Sequence, residues 1–136
     1  MYIIVAGCGK IGANLVKSLS NDGHDVVVID PNEEAFTQLE NGTNCLTVTG
    51  MPIDEDVLKS AGIEHADALL AVTSDDNVNI MTAQIAKQLY HVPHVVTRVY
   101  DPDKEEVIRQ MGLCTVCPTM LTVSTISTLL AEPEDH

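Results

Sequence analysis

Short apolar runs alternate along the chain with longer segments whose apolar residues recur every three or four positions. Continuous apolar runs are typical of strands buried on both faces of a parallel sheet, and the three-and-four spacing is typical of amphipathic helices. The runs predict six strands, over residues 2–6, 26–29, 45–48, 68–72, 94–99 and 113–116. The spaced segments predict helices near residues 10–22, 32–40, 53–61, 76–90 and 103–111.

Strand and helix alternate throughout, and this order predicts the fold class. Parallel neighbouring strands need a crossover connection, which a helix on one face of the sheet supplies. The pattern therefore predicts a doubly wound α/β domain with a six-stranded parallel sheet of Rossmann-like type. A chain of 136 residues fits one such domain. We expect this domain over residues 1–118, and a C-terminal helix with an acidic tail over residues 119–136.

Acidic residues outnumber basic ones, 20 to 7, which leaves a formal net charge of −13. Such a surface repels nucleic acid and anionic lipid, so neither is expected as a partner. No apolar run is long enough to span a bilayer, and the first residues lack a signal-peptide pattern, so we expect a cytoplasmic protein without direct membrane insertion. An anionic ligand then needs local cations and backbone amides, which makes Lys10 and Arg98 candidates for its binding.

The four cysteines are expected to be thiols, because the inferred compartment is reducing. Cys114 and Cys117 have the spacing of a metal or redox pair, but residues three apart in a strand face opposite sides of a sheet. We therefore expect no metal site. A redox-sensing role through Cys8, or through Cys114 and Cys117, stays open as an alternative function.

A Gly-x-Gly-x-x-Gly motif follows the first strand and opens the first predicted helix, as Gly7-Cys8-Gly9-Lys10-Ile11-Gly12. In this context Gly7 permits a tight turn, Gly9 lets the backbone approach a pyrophosphate, and Gly12 lets helix and strand pack closely. The phosphates would lie at the helix N-terminus, where unpaired amides and the helix dipole favour an anion. We predict that all six residues take part in binding a nucleotide cofactor.

The second strand ends at Asp30, eighteen residues beyond Gly12, where an acidic residue would hydrogen-bond the hydroxyls of an adenosine ribose. A carboxylate at this place repels the 2′-phosphate of NADP and therefore disfavours NADP. The motif does not choose among NAD(H), AMP, ADP and ATP, which share the same ribose. The alternative is that the glycines only make a strand-to-helix turn, and that Asp30 caps the helix that starts near Pro31.

The ends of the third and fourth strands supply further candidates, because ligands of open parallel sheets lie beyond the carboxyl ends of the strands. Gly50 would allow close approach of the ligand, and Met51 would cover an adenine face. The hydroxyls of Thr73 and Ser74 would meet the middle of a dinucleotide or a terminal phosphate.

Arg98 lies near the end of the fifth strand, within an apolar run. A buried guanidinium needs an anionic partner, and the phosphate of a ligand is a natural one. The alternative is an ion pair with a local carboxylate such as Asp101 or Asp75.

Residues 118–131 contain no charged residue, although the chain as a whole is 20% charged. Their apolar positions lie around more than one face of a helix, and one face can cover the sheet. A terminal element has few neighbours to bury a second apolar face, whereas a partner subunit supplies them. We predict a symmetric homodimer that contacts through residues near 119–131. The alternative is a terminal helix packed wholly on its own domain.

These features, together with the segments AGIEHADA at residues 61–68, AVTSDDNVN at residues 71–79 and Met111-Gly112, resemble the TrkA-N or RCK N-terminal (KTN) domain family. The resemblance covers about residues 1–131. It implies a cytosolic nucleotide-sensing domain or regulatory subunit of a potassium channel or transporter, which often binds NAD(H) or ATP/ADP. It also implies a dimer that assembles into rings on a membrane potassium pore, peripheral to the inner face of the cell membrane through that partner.

The resemblance assigns roles to the candidate residues. The glycine loop would bind phosphates and Asp30 the ribose, while Thr73, Ser74 and Arg98 would line the remainder of the site. Lys10 matches a basic position that meets the terminal phosphates in ATP-binding members.

Two positions depart from the family pattern. Met51 stands where the family commonly has an acidic residue, and Thr119 stands where many members have a glutamate that helps hold a metal beside the phosphates. The second departure weakens a metal-assisted ATP switch. We therefore expect NAD(H) as the ligand, with AMP, ADP or ATP as alternatives.

The resemblance indicates a ligand sensor and not an enzyme, and the sequence shows neither a catalytic acid–base pair nor a substrate domain. The alternative is the cofactor domain of an NAD-dependent oxidoreductase, since the fold by itself does not separate sensing from catalysis. Hydride transfer needs a positioned acid or base and a substrate pocket, and few residues follow the sixth strand to build a substrate domain. We therefore expect no catalytic residues.

Overall fold

The computed structural model describes residues 1–40 and 42–132. Six strands form one parallel sheet in the order β3-β2-β1-β4-β5-β6. The strands are β1 Tyr2–Ala6, β2 Asp25–Asp30, β3 Cys45–Thr49, β4 Ala68–Ala71, β5 His94–Arg98 and β6 Cys114–Val116. The predicted six-stranded, doubly wound sheet is confirmed, and the strand order reverses between β1 and β4.

Helices connect the strands and follow the last one. They are α1 Lys10–Asn21, α2 Glu55–Ser60, α3 Asp76–Gln84, α4 Pro102–Gln110 and α5 Pro118–Ala131, with a π-helical turn Ile85–Leu89 after α3 and a 3₁₀ turn Ile63–His65 after α2. The predicted helix near 32–40 is a 3₁₀ helix, Glu33–Gln38. Its apolar residues Phe36 and Leu39 lie three positions apart, the spacing that a 3₁₀ helix places on one side.

Alternate residues of the central strands face two separate cores, because side chains along a strand point to opposite faces. Ile3 and Val5 of β1 pack with Val16 of α1 on one face. Ile4 of β1 packs on the other face with residues of α2, α3 and α4, such as Leu58 and Ile108. The sheet is therefore buried on both faces at its centre, as the continuous apolar runs predict.

The face that α1 covers is open over β4, β5 and β6. α1 and the 3₁₀ helix lie over β1 to β3, and the other helices between strands lie on the opposite face. An apolar groove of about 240 Å³ remains beside α1. The groove is lined by Ile11, Leu15, Leu70, Val72, Val96, Arg98, Val116 and Pro118.

Helix α5 extends away from its own domain. Every residue from 119 to 131 is exposed, and Leu130 is 83% exposed. The expectation that one face of this helix covers the sheet of its own chain is wrong, as is the alternative of a helix packed wholly on its own domain. The reason is that β6 is an edge strand, so the helix after it begins at the rim of the domain. The predicted acidic tail lies largely outside the described residues, which end at Glu132.

Among the described residues no helix is both long and apolar enough to cross a membrane.

Candidate functional site

A cavity of about 450 Å³ opens beyond the carboxyl ends of the strands, where the strand order reverses. Open α/β sheets bind ligands at this place. The cavity is lined by Gly7, Gly9, Lys10, Ile11, Asp30, Pro31, Met51, Pro52, Val72, Thr73, Ser74, Asp75, Val78 and Arg98. Its lining therefore brings together the last residues of β2 and β5 and the segments that follow β1, β2, β3 and β4.

Most residues predicted from the sequence lie on this cavity. They are Gly7, Gly9, Lys10, Ile11, Asp30, Met51, Thr73, Ser74 and Arg98. Cys8, Gly12 and Gly50 do not line it. Sequence reasoning missed Pro31, Pro52, Val72, Asp75 and Val78. Four of these adjoin a predicted residue in the chain, so the strand-end rule could have found them, whereas Val78 is placed by the turn of α3.

The three glycines of the loop have different neighbours. Gly7 has a φ of +113°, and a Cβ built on it would lie 2.9 Å from the Thr73 nitrogen. A Cβ on Gly12 would lie 1.8 Å from the Gly7 carbonyl oxygen. Around Gly9 there is no atom within 4 Å of such a Cβ. Gly7 and Gly12 are thus required by the packing of the protein itself, while Gly9 leaves open space on the cavity.

The N-terminus of α1 faces the cavity without a side-chain cap. Its N-cap is Gly9, and its first turn contains no acidic residue. By contrast, the N-caps of α2, α3 and α4 are Asp54, Asp75 and Asp101, whose carboxylates accept amides of the first turn. The first amides of α1, together with Lys10, therefore present positive charge to the cavity.

Asp30 supports the glycine loop as well as lining the cavity. Its Oδ2 accepts the Cys8 amide at 2.9 Å, and its Oδ1 accepts the Asn32 amide at 2.9 Å. The 3₁₀ helix that follows is capped by Asn32, so Asp30 is not its cap. A carboxylate offers about four acceptor positions, so two remain for ligand hydroxyls.

The Cys8 side chain points away from the cavity. The residue is fully buried, and its thiol donates to the Ala35 carbonyl at 3.5 Å. Burial and the nearby Asp30 carboxylate raise the pKa of the Cys8 thiol to about 11. The side chain is therefore a neutral thiol near pH 7, and only the backbone of Cys8 belongs to the loop around the cavity.

Gly50 serves α2 and not the cavity. A Cβ built on Gly50 would lie 2.5 Å from Cγ2 of Val57, so the glycine leaves room for that side chain. Its neighbour Met51 lines the cavity and is 43% exposed. The glycine at the end of β3 therefore reflects the packing of α2, a contact that strand-end reasoning does not include.

Arg98 lines the cavity without a carboxylate partner. Its Nη1 donates to the Val72 carbonyl at 3.0 Å, its guanidinium stacks 4.1 Å from the centre of the Tyr100 ring, and its buried Nε has no hydrogen-bond partner. Across residues 1–40 and 42–132, no carboxylate lies within 4.0 Å of it. Burial lowers the pKa of Arg98, against the opposing influence of Asp76.

The alternative for Arg98, an ion pair with Asp75 or Asp101, is therefore wrong. Asp75 Oδ1 accepts amides at the start of α3, and Asp101 Oδ1 accepts the Asp103 amide at the start of α4. Both carboxylates serve as helix caps, which keeps them away from the guanidinium.

Thr73 directs its hydroxyl inward. Its Oγ1 lies 2.6 Å from Oδ1 of Asn79, and the Asp75 amide donates to the same oxygen at 3.2 Å. The single hydroxyl proton has two protein acceptors in reach, Asn79 Oδ1 at 2.6 Å and the Asp75 carbonyl at 3.2 Å, so the hydroxyl has only an acceptor position left. Ser74 is exposed at the rim of the cavity.

The four cysteines are free thiols; Cys114 is exposed and Cys117 is buried. Within the part of the chain that the structure describes, no three His, Cys, Asp or Glu residues are grouped so as to hold a metal ion.

The reversed strand order, the glycine loop and the cavity beyond the strand ends define a Rossmann-type α/β domain. The chain belongs to the TrkA-N domain family, whose model matches residues 3–118. The resemblance expected from the sequence is thereby confirmed.

Two relatives are named as TrkA proteins of the Trk potassium uptake system. The chain is 41% identical over 123 residues to the Trk system potassium uptake protein TrkA of Streptomyces coelicolor, covering 90% of this chain and 53% of that protein. It is 34% identical over 111 residues to the TrkA homolog of Pyrococcus abyssi, covering 82% of this chain and 49% of that protein. The chain thus spans about half the length of these relatives.

Solved structures share the fold. The NAD(P)-binding domain of an exopolyphosphatase-related protein from Archaeoglobus fulgidus has a TM-score of 0.77 and 26% identity, covering 94% of this chain and 96% of that domain. The GsuK channel bound to NAD has a TM-score of 0.71 and 26% identity, covering 86% of this chain and 21% of that chain. GsuK bound to ADP matches with a TM-score of 0.71 and 26% identity, over 85% of this chain and 31% of that chain.

Proposed function

We propose that this chain is the nucleotide-sensing regulatory domain of a potassium channel or transporter, and that its ligand is NAD(H) or another adenine nucleotide without a 2′-phosphate. The observation that carries the proposal is the open space before Gly9, beside two cations, Lys10 and Arg98, in a chain of net charge −13. Neither cation has an ion-pair partner among the described residues. A negatively charged protein that keeps two cations on one cavity has a place for an anion.

The proposed ligand lies across the strand ends. Its phosphates occupy the space before Gly9, where the first amides of α1 and Lys10 stabilise negative charge. Its adenosine ribose meets the two remaining acceptor positions of Asp30. The apolar side chain of Met51 covers the adenine. Arg98, which lines the same cavity, then binds a phosphate oxygen of the ligand.

Asp30 supports the preference for NAD over NADP. Its carboxylate is held by two backbone amides and lines the cavity, so a 2′-phosphate beside it would be repelled. AMP, ADP and ATP have the same unmodified ribose and stay as alternative ligands. The GsuK structures with NAD and with ADP are consistent with either kind of ligand for this fold.

The proposal includes a homodimer formed through α5. This helix is uncharged from Pro118 to Ala131 and buries none of its residues on its own domain. Seven of the eight residues that line the groove on the open sheet face are apolar and the eighth is Arg98, so the apolar side chains of α5 from a second copy fit against most of it. Arg98 lines both the groove and the cavity. Binding of a ligand in the cavity therefore affects the binding of α5 in the groove through this shared residue.

The partner in this proposal is a membrane subunit of a potassium channel or transporter, on which dimers assemble into a ring. The protein is then cytoplasmic and peripheral to the inner face of the membrane through that subunit. The TrkA proteins of Streptomyces coelicolor and Pyrococcus abyssi, named for potassium uptake, support this part of the proposal.

The domain acts in this proposal without catalysis. The titratable side chains on the cavity are Lys10, Asp30, Asp75 and Arg98, and both carboxylates already accept backbone amides. A ligand that binds two assembly states with different affinity shifts their equilibrium by that difference alone, so sensing needs no reaction.

Calorimetry with NAD⁺, NADH, NADP⁺, AMP, ADP and ATP tests the proposal. We expect saturable binding of NAD⁺ or NADH, weaker binding of the mononucleotides, and the weakest binding for NADP⁺. Absence of binding by every adenine nucleotide would contradict the function proposed for the cavity. Equal affinity for NADP⁺ and NAD⁺ would leave nucleotide binding intact but remove the role assigned to Asp30.

A further inference from the structure

Asn79, on α3, is fully buried and makes four hydrogen bonds with its side-chain amide. Its Nδ2 donates to the Thr73 carbonyl and to the Arg98 carbonyl, both at 2.9 Å. Its Oδ1 accepts the Thr73 amide at 2.9 Å and the Thr73 hydroxyl at 2.6 Å. The orientation of the amide follows from its partners, because two carbonyls need the NH₂ group and the Thr73 amide needs the oxygen.

These bonds lie where the sheet comes apart. The pairing of β4 with β5 ends at Ala71 and Thr97, and beyond that point the two strands separate around the cavity. Asn79 joins the backbone of Thr73 to the backbone of Arg98 across this gap. A buried amide that satisfies all of its hydrogen-bonding groups is a rigid connection, since breaking any bond leaves a buried polar group without a partner.

The same connection reaches the glycine loop. A Cβ built on Gly7 would lie 2.9 Å from the Thr73 nitrogen. The glycine loop therefore packs directly against Thr73, the residue that Asn79 hydrogen-bonds. Asn79 does not itself line the cavity. Its influence on a ligand is therefore exerted through Thr73 and Arg98.

We propose that Asn79 is the positioning residue for the β4–β5 half of the nucleotide site, and that it sets the preference for a dinucleotide over a mononucleotide. This inference rests on the proposed nucleotide-binding function. Asp30 ends β2 and Met51 follows β3, while Thr73 follows β4 and Arg98 ends β5. At the usual spacing of strands, the ends of β2 and β5 lie roughly 14 Å apart. AMP with its ribose at Asp30 ends near the glycine loop, whereas the second half of NAD extends to the side that Asn79 holds.

The Thr73 hydroxyl adds a chemical preference to this half. Because its proton has protein acceptors on Asn79 and Asp75, it offers only an acceptor to the ligand. It therefore suits a ribose hydroxyl, which donates, and not a phosphate oxygen. The second ribose of a dinucleotide provides such a donor.

The test compares NAD⁺ and AMP binding by calorimetry, with the full chain carrying Asn79→Asp. The carboxylate keeps an acceptor for Thr73 but turns a second oxygen toward the carbonyls of Thr73 and Arg98, which it repels. We expect the affinity for NAD⁺ to fall about tenfold and that for AMP to fall only about twofold to threefold, because AMP is affected only through the contact of Thr73 with Gly7. A general loss of structure would lower both affinities equally.

Thr82→Val is the matched control. Thr82 is also fully buried on α3, and its hydroxyl has no hydrogen-bond partner. This variant changes a buried polar residue of the same helix without touching the cavity, so both affinities should stay within about twofold of wild type. Equal losses of NAD⁺ and AMP affinity in Asn79→Asp, or no loss of NAD⁺ affinity, would overturn the proposal. A wild-type chain that binds neither nucleotide would remove the proposed function, and this inference with it.

Hydrogen exchange on the wild-type chain gives a second arm that needs no variant. The Thr73 amide lies beyond the last pair of the β4–β5 ladder, yet it donates to Asn79, so it should exchange nearly as slowly as the amides of β4. Addition of NAD⁺ should slow it further and AMP should not. Exchange at the rate of an exposed loop, or the same effect from both ligands, overturns the assignment.

Discussion

The Asp30 carboxylate accepts the Cys8 amide at 2.9 Å, so the acidic residue that ends β2 holds the glycine loop that follows β1. The two features of the predicted nucleotide motif are thus joined to each other before any ligand arrives. Asp30 has two consequences for binding: it orients the loop, and it presents acceptors and negative charge to the cavity.

Asp30→Ala should weaken the binding of NAD⁺ and AMP by about 1–3 kcal/mol, because it removes charge-assisted hydrogen bonds and the support of the Cys8 amide. Asp30→Asn keeps an oxygen for that amide but removes the charge. It should therefore raise the affinity for NADP⁺ relative to NAD⁺. Calorimetry measures both effects, and an unchanged ratio in Asp30→Asn would rule out charge repulsion as the basis of the preference.

Gly9→Ala and Gly12→Ala should separate binding from folding. A Cβ on Gly9 meets no atom within 4 Å, so Gly9→Ala should leave the melting temperature nearly unchanged while it fills the space proposed for a phosphate. A Cβ on Gly12 would lie 1.8 Å from the Gly7 carbonyl oxygen, so Gly12→Ala should destabilise the fold by about 1–3 kcal/mol or more. Thermal unfolding and calorimetry on both variants provide the check. Full nucleotide affinity in Gly9→Ala would place the phosphates elsewhere.

Leu130→Asp should convert the proposed dimer to a monomer with little effect on the stability of the domain. Leu130 is 83% exposed on α5, so the substitution removes no contact within the chain but places a charge in the proposed interface. Leu89→Asp is the control, since Leu89 is 60% exposed on the π-helical turn away from α5. Light scattering at tens of micromolar distinguishes the outcomes. A chain that is monomeric without any substitution, or a dimer that survives removal of residues 119–136, argues against an α5 interface.

The Cys8 thiol should make the domain less stable in alkaline solution. Its pKa in the folded protein is raised from 9.0 to about 11, so the folded state keeps a proton that the unfolded state releases. The corresponding stability is fully present below pH 9 and is lost as the pH rises through about 11. Denaturant unfolding between these pH values should show a smaller loss for Cys8→Ala than for wild type. At pH 8, thiol reagents should label the exposed Cys114 and leave Cys8 unmodified.

NADH incubated with the chain and a panel of carbonyl compounds should stay reduced. The titratable side chains on the cavity are Lys10, Asp30, Asp75 and Arg98. The proposal assigns Lys10 and Arg98 to the phosphates and Asp30 to the ribose, and Asp75 caps α3, so it leaves no group to donate the proton that hydride transfer needs. Absorbance at the NADH band records the outcome. Substrate-dependent oxidation above a blank would favour an oxidoreductase.

The amino-acid sequence by itself determined the elements of the sheet. Each of the six strands lies within about two residues of its predicted limits, because a strand buried on both faces needs a continuous apolar run wherever it occurs. The glycine spacing and Asp30 likewise predicted where the cavity lies, since the ends of parallel strands share one edge. Both results follow from the local pattern of apolar residues and from the order of strands and helices, and the amino-acid sequence contains both.

Only the tertiary structure decided which side chains face the cavity and which face their neighbours. Cys8 turns inward to Ala35, Gly50 makes room for Val57, and α5 buries none of its residues against the rest of the described chain. Asn79 hydrogen-bonds Thr73 and also Arg98, which lies nineteen residues after Asn79 in the chain. Such contacts link residues distant in sequence, and no periodicity within one segment records what another segment will place against it.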